Sequence, residues 1–235
     1  MNKVYILAFL LSLSFCSYAQ VANPETYLSE IKAELVKKWP KNRTINLVFH
    51  GHSVPTGYFV TPDVRTLEAY PHQVLEGLKR QYPYAPINTI TTSIGGENSE
   101  QGQKRFKKEV LTHRPDVLFI DYALNDRNIG LERSRKAMEK MIKRALNKDV
   151  KVILLTPSPD LTVDILKPDN LLEQHSNQLI ELAKKYKIGL VDSQGAFRNL
   201  AKAGENLKDY MAQSNHPQKK GHKVIADEVL KWFKP

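Results

Sequence analysis

The chain carries a serine and a histidine in positions suited to nucleophilic chemistry. Ser53 follows Gly51-His52 at the end of a largely apolar run over residues 45–50, and His216 lies just before the last amphipathic stretch. A serine hydroxyl attacks an ester only when a base accepts its proton and hydrogen-bond donors stabilise the oxyanion. Ser53 is therefore a candidate nucleophile and His216 a candidate base. A turn serine and a surface histidine are the alternatives for each residue taken alone.

Two further segments offer donors for an oxyanion. Gly95-Gly96 could present a backbone N–H, and the Asn125 side chain could donate an amide N–H to the same oxygen. Each has an ordinary alternative, because a Gly-Gly pair marks turns and an asparagine often caps a helix. The four candidates are more specific together than apart, since all would lie in loops at one edge of a predicted sheet.

The elements that must position these residues alternate between strands and helices. An amphipathic helix is predicted over residues 26–39, with Thr26 as a plausible N-cap and Pro40 at its end. The alternation that follows, with strands apolar throughout, predicts a doubly wound α/β sandwich with a parallel sheet. The predicted strands are 45–49, 87–91, 117–120, 150–155 and 188–191, and the helices after them are 66–81, 99–112, 130–147, 170–186 and 217–233.

The first 19 residues have the features of a secretory signal peptide. Lys3 precedes an apolar stretch, and a small-residue cleavage site ends at Ala19. Cleavage there would leave a secreted or periplasmic protein without Cys16, the only cysteine of the chain. Lipidation of Cys16 is the alternative, which the large Phe15 before it disfavours. The mature chain would comprise an N-terminal helix and lead-in over 20–44 and one domain over 45–235.

The charge of the mature chain bears on its partners. Without Lys3, 34 basic and 25 acidic residues give a net charge of +9. The lysines are scattered, and no basic block alternates with aromatic residues, so the sequence predicts a solvated basic surface and no nucleic-acid partner. The apolar N-terminal stretch is shorter than the roughly 20 residues of a membrane span, so no stable membrane insertion is expected. The oligomeric state is left open.

Four sequence blocks resemble those of the SGNH or GDSL hydrolases, a superfamily of serine esterases and lipases. The blocks are Gly51-His52-Ser53-Val54-Pro55-Thr56-Gly57-Tyr58, Ser93-Ile94-Gly95-Gly96-Glu97-Asn98-Ser99, Tyr122-Ala123-Leu124-Asn125-Asp126 and Ser214-Asn215-His216-Pro217. The resemblance covers roughly residues 45–233 and implies a flavodoxin-like, three-layer α/β/α sandwich with a five-stranded parallel sheet. It also implies a Ser53 nucleophile, a His216 base and no metal or organic cofactor. Gly96 and Asn125 fall on the oxyanion positions.

Three positions depart from the family pattern. Ala123 stands for a glycine, and His52 replaces an aspartate, which we expect to alter hydrogen bonding in the loop. Gln213 occupies the position, three residues before His216, where the family usually has the aspartate that orients the base. Loss of such an aspartate can reduce turnover by up to about 10⁴-fold.

Three interpretations of Gln213 remain open from the sequence. Another acid could orient His216, and Asp209 is the nearest along the chain. A backbone carbonyl could instead hold the imidazole in a Ser–His dyad. The third possibility is a slow or inactive protein.

The resulting expectation is a secreted serine esterase that works through an acyl-enzyme on a small ester or an acetylated polysaccharide. A carbohydrate acetylesterase is the first hypothesis. A lipase or thioesterase of the same fold, and a carbohydrate-binding protein on a catalytically weakened scaffold, are the alternatives. Aromatic residues near the predicted loops could form a sugar-stacking rim or belong to the core, namely Tyr58, Phe59, Tyr70, His72 and Tyr122.

Two histidine questions are secondary. His50 and His52, with Asp121 and Asp126, could suggest a zinc site, but packing or substrate contact is the favoured role for both histidines. His222 is expected at the surface or packed within the last helix. No metal ligand is therefore predicted.

Overall fold

A computed structural model describes residues 20–234, in which a five-stranded sheet lies between two layers of helices. The strands are β1 (Ile45–Gly51), β2 (Ile87–Thr91), β3 (Val117–Asp121), β4 (Lys151–Leu155), β5 (Gly189–Val191) and the paired short strands β6 (Met211–Gln213) and β7 (His216–Pro217). The helices are α1 (Ser29–Leu35), α2 (Ser53–Thr56), α3 (Tyr70–Gln81), α4 (Ser99–Glu109), α5 (Ala123–Asp126), α6 (Leu131–Leu146), α7 (Leu171–Tyr186), α8 (Ser193–Lys202) and α9 (Lys219–Leu230).

The sheet has the order β2-β1-β3-β4-β5, and every neighbouring pair is parallel. This is the flavodoxin-like order, so the predicted fold class is confirmed. The chain leaves β1 in one direction toward β2 and returns to place β3 on the other side of β1. The resulting switch point lies where Gly51 and Asp121 pair at the carboxyl ends of β1 and β3. Ligands of such sheets bind in the crevice outside this point.

Alternating side chains of the strands supply two separate hydrophobic cores. On one face, Leu47 and Phe119 pack with α1, α3, α8 and α9. On the other, Val48 and Leu118 pack with α4, α6 and α7. Because both faces are covered, the strands are apolar at successive positions, which is the pattern that made them recognisable in the sequence.

Aromatic stacking joins the two strands that flank the switch point. Phe49 and Phe119 are register partners, and their rings stack with centroids 4.5 Å apart and planes 7° apart. Tyr70 from α3 meets Phe49 edge-on at 5.7 Å. All three side chains are fully buried, so this cluster supports the carboxyl ends of β1 and β3 from one side.

The N-terminal helix is shorter than predicted. It begins at Ser29 with Leu28 at the N-cap, so the predicted cap at Thr26 is wrong. The Asn23 side chain accepts the Glu25 N–H at 2.9 Å, and this local turn competes with an earlier helix start. Trp39, the last residue of the predicted helix, lies beyond the end of α1 and is 84% exposed.

Other differences concern short elements. The stretch predicted as one helix over 66–81 contains a 3-10 turn over Thr66–Glu68 and then α3, whose first turn holds Pro71. Helix α8 and the β6–β7 pair had no counterpart in the prediction. The Asp192 carboxylate caps α8 by accepting the Gly195 N–H, a signal that a search for N-caps could have used.

The predicted signal peptide lies outside the described residues. Among residues 20–234, no helix is long and apolar enough to cross a membrane.

The Phe49–Phe119 stack yields a stability prediction. Replacing Phe119 with alanine should lower the free energy of unfolding by about 3–5 kcal/mol, because it removes a buried ring and leaves a cavity. Urea unfolding followed by circular dichroism measures this loss. Leu67→Ala is the control, since Leu67 is 81% exposed and its loss should change stability by less than about 0.5 kcal/mol. Equal stabilities for the two variants would contradict the assignment of this core.

Candidate active site

Ser53 lies at the first position of α2, directly outside the switch point of the sheet. The tight turn from β1 into α2 depends on Gly51, because a Cβ there would lie 2.4 Å from the Asp121 carbonyl oxygen. His52 is the N-cap of α2, and Gly57 ends that helix with φ +95°. The turn therefore holds the Ser53 side chain at the carboxyl edge of β1.

The structure brings His216 to Ser53 from the far end of the chain. His216 begins β7 and precedes α9. Its Nε2 lies 2.9 Å from Ser53 Oγ, and its Nδ1 lies 3.1 Å from the Phe59 carbonyl oxygen. A carbonyl oxygen can only accept, so Nδ1 must carry the proton and Nε2 is left as an acceptor for the serine hydroxyl. This tautomer is the one that a general base requires.

Asp209 does not take part in this arrangement. His216 Nδ1 faces the Phe59 carbonyl, and the side chain of Asp209 is exposed in a 3-10 turn over Leu207–Tyr210. Of the three interpretations of the missing aspartate, the geometry matches the backbone-carbonyl dyad. The sequence could not show this, because Phe59 and His216 are 157 residues apart.

Gln213, at the usual aspartate position, contacts the loop that supplies this carbonyl. Its side-chain oxygen accepts the Thr61 N–H at 3.0 Å, and its amide donates to Asn215 Oδ1 at 3.3 Å. Thr61 is two residues beyond Phe59. Gln213 thus braces the loop instead of holding the imidazole directly.

Gly96 and Asn125 lie on neighbouring segments at the same edge. The Asn125 amide donates one hydrogen bond to the Glu97 carbonyl at 2.9 Å, which leaves its second N–H for a ligand. Gly96 has φ +77°, and the space beside its Cα is open. In the described part of the chain, the N–H groups of Ser53 and Gly96 donate to no loop or turn acceptor. These donors are free to bind an oxyanion.

A buried polar network behind Asn125 was not foreseen from the sequence. The Glu97 carboxylate accepts the Tyr122 hydroxyl at 2.6 Å and the Arg105 Nε–H at 2.7 Å. Burial and the hydrogen bond to Glu97 raise the pKa of Tyr122 well above its usual value, so its hydroxyl stays protonated as a donor. The network fixes Glu97, whose own carbonyl orients Asn125. The sequence offers one indication of this network, because the acidic Glu97 is followed eight residues later by the basic Arg105 on α4.

His50 belongs to the same network rather than to a metal site. Its Nε2 lies 3.1 Å from the Tyr122 hydroxyl, and its Nδ1 lies 3.0 Å from Thr92 Oγ1. Burial, assisted by the Arg105 charge, lowers its pKa to about 3, so the ring is neutral. Across residues 20–234, no group of three or more His, Cys, Asp or Glu side chains is arranged to bind a metal ion.

The proposed aromatic rim is only partly at the surface. Tyr70 and Tyr122 are fully buried, so they belong to the core and not to a sugar-stacking rim. Tyr58 packs against the His216 ring with centroids 5.7 Å apart, and Phe59 and His72 are half-buried. His222 is buried as well, and its Nδ1 accepts the Tyr70 N–H at 3.2 Å.

A comparison with models of protein families identifies the family of this chain. The model of the GDSL-like lipase/acylhydrolase family matches residues 49–224, which is most of the chain. The chain belongs to this family. It is therefore an ester hydrolase by family membership, and the resemblance of the four sequence blocks is confirmed. No curated protein matches the sequence.

Solved structures of esterases share the fold at low sequence identity. Axe2, an acetylxylan esterase from Geobacillus stearothermophilus, is 19% identical, with a TM-score of 0.71 over 85% of this chain and 96% of Axe2. A two-domain esterase active on acetylated mannans is 18% identical, with a TM-score of 0.71 over 88% of this chain. The match covers 52% of that esterase, so the chain spans about half its length.

The environment of His216 predicts a pH dependence. Burial lowers the pKa of His216 below its ordinary value of 6.5, although the Phe59 hydrogen bond partly opposes this. If His216 acts as the base in its neutral form, kcat/KM should stay high as pH falls and drop only through a midpoint below 6.5. A kcat/KM profile from pH 4 to 8, with fluorescence as a control for folding, tests this. A midpoint above 6.5 would indicate a carboxylate partner and contradict the carbonyl contact.

The contact between Gln213 and Thr61 gives a matched pair of variants. Gln213→Glu keeps an acceptor oxygen at the same reach and should retain kcat/KM within about threefold, whereas the shorter Gln213→Asp should lose about five- to tenfold. Steady-state hydrolysis of 4-nitrophenyl acetate measures both. A large gain with Gln213→Asp would show instead that His216 lacks an orienting partner in the native protein.

Proposed function

We propose that this protein is a secreted serine esterase that removes acetyl groups from carbohydrates. The contact between Ser53 Oγ and His216 Nε2 at 2.9 Å, in the tautomer that the Phe59 carbonyl selects, is the observation that carries the proposal. Secretion rests on the signal-peptide features of residues 1–19. The proposed organisation is a lead-in over 20–44 and a hydrolase domain over 45–235.

The chemistry proceeds through an acyl-enzyme. Ser53 Oγ attacks the ester carbonyl carbon while its proton passes to His216 Nε2. The resulting oxyanion accepts hydrogen bonds from the N–H groups of Ser53 and Gly96 and from the Asn125 amide. His216 then protonates the leaving alcohol, and a water molecule activated by the same imidazole hydrolyses the acyl-enzyme.

The Phe59 carbonyl replaces the usual carboxylate in this scheme. When His216 becomes an imidazolium, its Nδ1–H bond to the carbonyl strengthens, because a charged donor makes the stronger hydrogen bond. The carbonyl dipole stabilises the cation less than a full negative charge would. We therefore expect a working dyad that is slower than a triad of the same geometry.

The substrate class is inferred from the structural neighbours. One of them is an acetylxylan esterase and another is active on acetylated mannans, so an acetylated polysaccharide or its oligosaccharides is the first candidate. The half-buried Tyr58 beside His216 offers an aromatic surface close to the reacting atoms. A preference for longer acyl chains would favour the lipase or thioesterase alternative.

Hydrolysis of 4-nitrophenyl acetate tests the nucleophile. Ser53→Ala should lower kcat/KM by at least about 10³-fold, because no other group can form the acyl-enzyme. Ser29→Ala is the control, since Ser29 is exposed on α1 and takes no part in the site. Retained activity in Ser53→Ala would overturn the proposal.

A substrate panel tests the specificity. The purified protein should release acetate from acetylated xylo- or manno-oligosaccharides and should prefer 4-nitrophenyl acetate to the octanoate ester. Higher kcat/KM on the octanoate, with no release of acetate from glycans, would assign the protein to lipids or thioesters instead.

A further inference from the structure

Ser53 Oγ has a second imidazole neighbour. His52 Nδ1 lies 3.4 Å from Ser53 Oγ, while His216 Nε2 lies 2.9 Å from the same oxygen. The His52 side chain is 1% exposed, so it belongs to the interior of the site and not to its rim. Position 52 is the one at which the sequence blocks of the family usually have an aspartate. An imidazole thus stands where the family pattern has a carboxylate.

The far side of the His52 ring faces a buried carboxylate. His52 Nε2 lies 3.4 Å from Asp121 Oδ1, at the end of β3, and Asp121 is 4% exposed. The Tyr70 hydroxyl donates to the other Asp121 oxygen at 3.1 Å. Within residues 20–234, His52 Nε2 has no hydrogen-bond partner, so its approach to Asp121 is a close contact of a nitrogen with a carboxylate and not an aligned hydrogen bond. Ser53, His52 and Asp121 therefore form a row of hydroxyl, imidazole and carboxylate.

A backbone contact sets the tautomer of His52. The Val54 N–H donates to His52 Nδ1 at 3.3 Å, so Nδ1 carries a lone pair and the ring proton sits on Nε2, toward Asp121. Nδ1 is thus within reach of both the Val54 N–H, at 3.3 Å, and Ser53 Oγ, at 3.4 Å. This is the protonation state in which His52 can accept a proton from the serine.

We propose that His52, paired with Asp121, is a second general base for Ser53. The proposal rests on the proposed function, because it requires Ser53 as the nucleophile. In this route the Ser53 O–H bond breaks and its proton moves to His52 Nδ1, as Oγ forms a bond to the ester carbonyl carbon. The carbonyl π electrons move to the oxygen. When the tetrahedral intermediate collapses, the Nδ1–H proton goes to the leaving alcohol oxygen and His52 is neutral again.

The geometry makes this the secondary route. His52 is 0.5 Å farther from Ser53 Oγ than His216 is, and its Nδ1 must release the Val54 N–H before it can hold a proton. In return, the His52 imidazolium would face the Asp121 carboxylate, whereas His216 faces only a carbonyl. Within the described residues, a carboxylate is therefore absent behind His216 on one side of Ser53 but present behind His52 on the other side.

A purely structural role is the competing explanation, because His52 also caps α2 through Val54. The two roles separate in His52→Asn. Asparagine is a preferred N-cap and keeps an acceptor for the Val54 N–H, but it cannot take up the serine proton. If capping is the only role, His52→Asn should be neutral in every background.

The decisive experiment removes the primary base. We expect His216→Ala to lose about 10²- to 10³-fold in kcat on 4-nitrophenyl acetate yet to remain at least tenfold above Ser53→Ala. The double variant His216→Ala/His52→Asn should fall to the level of Ser53→Ala. The proposal is overturned if His216→Ala is already at that level, or if the double variant equals His216→Ala.

A second variant keeps the proposal testable if His52→Asn does not fold. Asp121→Asn keeps an acceptor for the Tyr70 hydroxyl but removes the charge, and in the His216→Ala background it should also lower the residual rate at least tenfold. No change there would contradict the role of the pair. Circular dichroism and thermal melting establish that each variant is folded.

Failure of this inference is distinguishable from failure of the proposed function. If Ser53→Ala abolishes turnover while the His52 and Asp121 variants change nothing in the His216→Ala background, only the second base is wrong. If Ser53→Ala retains activity, the nucleophile itself is wrong and both proposals fall.

Discussion

The site depends on the hydrogen bond between His216 Nδ1–H and the Phe59 carbonyl. A neutral imidazole has one donor and one acceptor nitrogen. A carbonyl oxygen beside one nitrogen requires that nitrogen to be the donor, so the other nitrogen is the acceptor. Here it leaves Nε2 facing Ser53 Oγ at 2.9 Å. The contact places no charge beside the imidazole, and burial lowers the pKa of His216 below its ordinary value. A backbone carbonyl thus supplies the orientation that a carboxylate gives elsewhere, but not its charge.

The position of the Phe59 carbonyl depends on the loop that carries it. Side-chain contacts hold this loop and the neighbouring Asn125 in place. Gln213 accepts the Thr61 N–H and so braces the loop of Phe59, while the β6–β7 pair places Gln213 and His216 on one short hairpin. On the opposite side, the Glu97 carbonyl orients Asn125, and Tyr122 and Arg105 hold Glu97. The proposed oxyanion donor Asn125 is thus preorganised, and such donors need no rearrangement during a reaction.

Much of the fold could be predicted because its signals are local. Strands buried on both faces appear in the sequence as apolar runs, and the helices between them show their own period. The parallel sheet, and the edge at which the candidate residues lie, followed from this pattern. The predictions are wrong where two local patterns compete for the same residues or where an element is very short. The Asn23 turn displaced the start of α1, and α8 follows a three-residue strand. Tyr70 and Tyr122 are polar-tipped aromatic residues that the pattern could not assign to core or rim.

The sequence by itself determined the family, the parallel α/β architecture and the four segments that meet at the carboxyl edge of the sheet. It did so because the alternation of apolar strands with helical stretches predicts the architecture, and because the residues of the four blocks carry the resemblance to the family. Only the tertiary structure decided what orients His216, since Phe59 is 157 residues away and contributes a backbone atom that every residue type possesses. The same reason applies to the contact between His52 and Asp121. His52 directly follows β1 and Asp121 ends β3, so the two side chains meet only because these strands pair in a register that the sheet as a whole sets.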